Sequence, residues 1–109
     1  MPWLVHEGHV IASLEIATDR RARRRGLLGR NGVDGAFLLE PARSVHTIGM
    51  RFAIDVAHLD QDLRVLSTTT MRPGRIGSWS ARRAAVLEAE AGSLRRWGIE
   101  PGMCLDVRQ

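Results

Sequence analysis

Two histidines, two aspartates, an arginine and a methionine stand within Ser44 to Asp60, SVHTIGMRFAIDVAHLD, in otherwise apolar, β-leaning sequence. Polar side chains that interrupt strands must find partners wherever they are buried, so a site is expected here first. His46, Thr47, Met50, Arg51 and Asp55 are the candidate ligand-binding residues. In an extended strand His46, Met50 and His58 share one parity, and Thr47, Arg51 and Asp55 the other. Gly49 allows a bend between them. With a turn near Arg51, Asp55 can face His46. A carboxylate orienting an imidazole of pKa ~6.5 is an acid–base pair suited to neutral pH. The same Asp55 can instead accept backbone N–H bonds, or pair with an arginine, and fix a turn. Both readings stay open, because a buried carboxylate needs donors whether or not it does chemistry.

A second cluster carries charge. Arg20, Arg21, Arg23, Arg24 and Arg25 crowd about a turn and a half of helix, and residues three or four apart repel one another there. Asp19 and Glu15 can offset only part of that repulsion. The cluster is a candidate anion-binding patch, for phosphate, an acidic partner protein or nucleic acid held weakly and without sequence preference, set against the plain alternative of a solvated face. All 16 basic residues are arginine, which lifts the pI to 11.2 on a net charge of only +4. Uniform arginine reflects genome composition more than ligand choice, so only this local clustering argues for an anionic partner. There is no tyrosine and there are two phenylalanines, so stacking platforms for bases are missing and no specific nucleic-acid partner is expected.

Other chemistries leave no signature. His6, His9, His46 and His58 show no HxH, HExxH or CxxC spacing, so neither a metal nor a cofactor is expected. His58, between Ala57 and Leu59, reads as a satisfied strand histidine. No serine lies in a GxSxG context, and the loop framed by Gly74 and Gly77 lacks the P-loop pattern. The lone Cys104 excludes an internal disulfide and agrees with a reducing compartment. Beside Met103 and Leu105 it reads as inert core or strand filler.

The elements that must position these residues are mostly strands. Trp3–His6 and His9–Ile16 flank Glu7-Gly8 as a hairpin, with Val10, Ala12, Leu14 and Ile16 alternating. Thr18 or Asp19 caps a short helix that Gly29 or Gly32 ends. From Gly35 the pattern is β: Ala36–Leu39, the Ser44–Asp60 segment, and Leu63–Thr70 after an Asp60-Gln61-Asp62 turn. Residues 72–78 form a Pro-Gly loop. Ala84–Ala89 reads as a strand, Ser93 caps one helical turn through Trp97, and Met103–Val107 is the last strand. Seven to eight short strands with one short Arg-rich helix make a mainly β fold, a β-sandwich or barrel-like domain.

At 109 residues the chain makes one domain, 1–109, and buries roughly two-thirds of its unfolded surface. No run of about 18 apolar residues crosses a membrane. The start shows neither a basic n-region nor an apolar h-region, so a cytoplasmic location is expected.

RRGLLGR (24–30), SVHTIGMRFAIDVAHLD (44–60), VLEAEAG (86–92) and GIEPGMCL (98–105) together resemble the bacterial and archaeal family called domain of unknown function 192. The four segments span nearly the whole chain in order. The resemblance implies a compact β-sandwich-like domain with one short helix, and no activity. Ala53 departs from the proline common in the family before Ile-Asp, and Met103 from a frequent aspartate. The residues therefore lead to a small β domain that binds a small molecule or a partner segment near Ser44–Asp55. One alternative is an enzyme using His46 and Asp55 as an acid–base pair. The other is a module docking an acidic partner through Arg20–Arg25.

Overall fold

The alternation of the first sixteen residues sets the first hairpin. In the computed structural model, which describes residues 2–109, Trp3–His6 (β1) pairs antiparallel with His9–Ala17 (β2). Glu7 and Gly8 make the turn at φ of 50° and 80°, the left-handed pair that a tight hairpin demands. Arg20–Arg25 (α1) follows, capped by Asp19, whose Oδ1 accepts from the Ala22 N–H at 2.7 Å. This helix stops at Gly26, before Gly29 or Gly32, because the Gly26 N–H closes on the Ala22 carbonyl at a φ of 52°. The crossover through α1 returns the chain to Ala36–Leu39 (β3), parallel to β2.

Ile54–Leu59 (β4), Val65–Met71 (β5), Ala85–Glu90 (β6) and Asp106–Arg108 (β7) complete one seven-stranded sheet in the order β5-β4-β6-β3-β2-β1-β7. Its two edges come together. The Leu105 N–H donates to the Leu63 carbonyl at 3.0 Å, the Val65 N–H to Met103 at 2.8 Å and the Gly102 N–H to Val65 at 2.8 Å. The fold is thus mainly β and barrel-like, since a curled sheet that closes on itself leaves fewer bare edges.

Alternation along the strands divides two cores. Leu4, Leu14, Leu38, Ala57, Leu59 and Leu87 pack inside the curl. Phe37, Leu39, Ile54, Val56, Val86 and Leu27 pack on the outer face, under α1 and the loops that follow β3 and β5. Strands β3 and β4 are therefore buried on both faces, which explains the continuous apolar sequence of β3 and leaves Asp55 and His58 of β4 buried. On the inner side Ser93–Arg96 (α2) closes the curl, with Leu94 buried.

The first half of the Ser44–Asp60 segment is not strand. Only Ile54–Leu59 joins the sheet, and residues 44–53 form a loop touching the sheet's surroundings through one isolated bridge, His46 to Ile76. Gly49, at a φ of 82°, breaks the extended path. Cys104 is also corrected: it is exposed, because Met103 and Leu105 take the inward parity at the seam. Ser93 is the first residue of α2 rather than its cap, which falls on Gly92.

Candidate functional site

Strand parity distributes the polar side chains between the two faces. On β4, Asp55 points inward with Ala57 and Leu59; His58 points outward with Ile54 and Val56. On β6, Glu88 points outward with Val86, opposite Val56 of β4 and Phe37 of β3.

Asp55 is 5% exposed and fully engaged. Its Oδ2 accepts from the Gly92 N–H at 2.9 Å and the Leu94 N–H at 3.1 Å, and its Oδ1 from the Thr70 hydroxyl at 2.7 Å. It thereby supplies the α2 cap that neither Gly92 nor Ser93 provides. No hydrogen bond joins it to His46 or Arg51 among the described residues. Arg51 instead donates to the Asn31 Oδ1 at 3.1 Å. The acid–base pairing of His46 with Asp55 is not assembled, because the loop after β3 stays on the outer side while Asp55 faces in.

Thr47 is completely buried and ties two loops together. Its hydroxyl donates to the Arg72 carbonyl at 2.6 Å and accepts from the Arg75 N–H at 2.9 Å, while its own N–H reaches the Arg75 carbonyl at 2.8 Å. Beside it the Gly77 N–H bonds the Val45 carbonyl at 2.8 Å, and a Cβ on Gly77 would sit 2.7 Å from that oxygen. Loops 44–50 and 72–77 are thus one clasped unit over the outer face.

On one side of the clasp lies a cavity of about 210 Å³, where His46 and Met50 meet Arg23, Arg24, Arg25 and Glu88. Two groups of candidates, far apart in sequence, share it. Glu88 is 3% exposed, and no hydrogen bond or ion pair reaches its carboxyl among the described residues. Burial alone pushes its pKa from 4.5 up to about 7, so it holds a proton at mildly acid pH. The arginines do not reverse that shift; Arg24 and Arg25 are exposed and Arg23 half-buried at the rim. Glu15 does not relieve the cluster either, since it pairs with Arg30 at 2.7 and 2.8 Å. Among the described residues no carboxylate lies in ion-pair reach of Arg20, Arg21, Arg23, Arg24 or Arg25.

A family model for domain of unknown function 192, described as "Uncharacterized ACR", matches residues 3–107. This chain belongs to that family. The domain of unknown function 192 fold recurs in solved structures. A protein of unknown function from Novosphingobium aromaticivorans is 22% identical, with a TM-score of 0.79 over 96% of this chain and 82% of that one. A putative transcription regulator from Sinorhizobium meliloti is 23% identical, with a TM-score of 0.78 over 97% and 91%. At such identities the likeness is one of fold. No curated protein matches the chain.

Sequence reasoning passed over Glu88 and read His58 as satisfied. The same signal that flagged Asp55, a carboxylate inside an apolar β run, was present in Val86-Leu87-Glu88-Ala89. His58 is a correction: it is 4% exposed, and its Nδ1 has no hydrogen-bond partner among the described residues.

Proposed function

We propose that this member of domain of unknown function 192 binds a small molecule, or the end of a partner segment, in the Glu88 cavity. The observation that carries this reading is the carboxyl of Glu88, a buried residue, which lines a cavity and has no partner among the described residues. A donor on a ligand would supply the partner that the carboxyl lacks. The ligand brings a hydrogen-bond donor or ammonium group to Glu88 and an acidic group to the arginines at the rim. A volume of 210 Å³ takes one end of such a ligand, since a water occupies about 30 Å³. His46 and Met50, from the Ser44–Asp55 segment, form the opposite wall.

A metabolite library screened by thermal shift tests this, because a ligand that binds only the folded chain raises its melting temperature. Stabilising compounds should carry both groups, and their shifts should disappear in Glu88→Gln and weaken in Arg23→Ala. Shifts retained in full by Glu88→Gln would reject the cavity as the site.

The unneutralised arginines of α1 favour a second reading, the docking of an acidic partner segment across Arg20–Arg25. A bound acidic peptide that tolerates Glu88→Gln but not Arg20→Ala and Arg24→Ala would select it.

A further inference from the structure

On the other side of the Thr47 clasp is a second cavity, of about 560 Å³, within the range of small-molecule sites. Its floor is built by cross-strand pairing. His58 lies opposite Ser67, and Val56 opposite Thr69, so the imidazole and both hydroxyls share the outer face of the sheet. Its walls carry Arg72, Arg75 and Arg83, and among the described residues no acidic one lines it. Three guanidinium groups around one cavity without a carboxylate repel each other unless an anion joins them.

Arg83 is already held in place. Its guanidinium donates to the Ser78 carbonyl at 2.6 Å and the Ser78 hydroxyl at 3.2 Å. Arg72 and Arg75 are presented by the loop that Thr47 pins, through the Arg72 carbonyl and the Arg75 N–H. Their exposed side chains make no hydrogen bond among the described residues. Beneath them the Nδ1 of His58 is buried without a partner among the described residues. Such orphaned polar atoms are rare. Burial, with the Arg83 charge added, pulls the His58 pKa down to about 4, so the imidazole is neutral at pH 7. A neutral ring can serve a ligand as acceptor or donor.

We propose that this cavity binds a phosphate monoester, with Arg72, Arg75 and Arg83 around the phosphate and His58, Ser67 and Thr69 below it. The oxygens of a tetrahedral phosphate suit donors converging from several sides, where one planar carboxylate would occupy a single arginine fork. The volume exceeds what free phosphate needs, and the exposed Ile76 at the wall offers apolar surface to the ester's body. This site is independent of the Glu88 cavity and stands whether or not that one binds a ligand.

The test is titration of the full chain with phenyl phosphate, inorganic phosphate and malonate at fixed ionic strength, followed by NMR. Phenyl phosphate should bind saturably, more tightly than the other two, and shift the His58 ring signals. Arg72→Ala and Arg75→Ala, both at exposed side chains, should each weaken it by about tenfold, the scale of one charged hydrogen bond. Arg108→Ala, equal in charge and outside the cavity lining, should change nothing. Equal loss in Arg108→Ala would show nonspecific charge attraction and overturn the proposal. Unmoved His58 signals, or malonate or inorganic phosphate binding as tightly as phenyl phosphate, would overturn it too.

Discussion

Asp55 and Glu88 occupy adjacent paired strands, one register step apart, and both are almost fully buried. Their surroundings differ completely. Asp55 faces into the curled sheet and receives three hydrogen bonds, two of them from the backbone that starts α2. Glu88 faces outward, receives none among the described residues, and titrates near 7 because burial is uncompensated. The first carboxylate is part of the architecture. The second is stored in a state that costs stability and is available to something else. Burial alone does not separate these two acids; the count of donors does.

Removing Asp55 is the harshest way to break this contrast. Asp55→Ala strands the Gly92 and Leu94 N–H groups and the Thr70 hydroxyl, and should cost about 3 kcal/mol, as unpaired buried donors do. Asp55→Asn, which keeps an acceptor, should cost less. Urea melts at pH 7 measure both, and a melt unchanged in Asp55→Ala would remove the structural role.

Glu88 should behave in the opposite sense. Between pH about 4.5 and 7 the folded chain keeps a proton on Glu88 that the unfolded chain has released, so this group makes stability fall as pH rises. The loss over that window is on the order of 3 kcal/mol, complete above pH 7. Glu88→Gln should therefore match wild type near pH 4 and exceed it by that order at pH 8. A Gln variant less stable than wild type at pH 8 would mean that the carboxylate has structural partners.

His58 sharpens the same experiment. Its pKa is lowered from 6.5 to about 4, so between those values the unfolded chain gains a proton that the folded chain refuses. This contribution to stability rises with pH and is lost on acidification, against the trend set by Glu88. The two offset one another between pH about 4.5 and 6.5. Glu88→Gln should unmask the rise with pH, and His58→Asn the fall. Chemical melts at half-unit pH steps would show the two slopes, and slopes of the same sign would refute the assignment.

Smaller effects are expected where the two cavities are joined. Thr47→Val keeps the shape of a fully buried side chain but leaves the Arg75 N–H without its acceptor, at about 1–2 kcal/mol. Because the clasp positions one wall of each cavity, it should weaken ligands of both. His46→Ala, at an exposed position, should move the melt by less than about 0.5 kcal/mol while reducing binding in the Glu88 cavity. A melt shifted as far as that of Asp55→Ala would make His46 part of the core.

Local signals in the sequence determined much of this protein. Alternation in residues 3–16 and the turn at Glu7-Gly8 specify the first hairpin; Asp19 specifies where α1 begins; a continuous apolar run specifies β3, and mostly apolar runs broken by Asp55, His58 and Glu88 specify β4 and β6. Those patterns rest on neighbours a few residues apart, and nothing distant overrules them. The Ser44–Met50 loop shows the limit. Its composition is β-like, yet Gly49 and the long-range bonds from Thr47 to residues 72–75 take it out of the sheet. Only the tertiary structure decided which polar groups are satisfied. Asp55 meets its donors 37 and 39 residues away, while Glu88, in an equally apolar strand, meets none. Strand parity assigns a face, but which helix or loop covers that face, and with what donors, depends on how the sheet closes on itself.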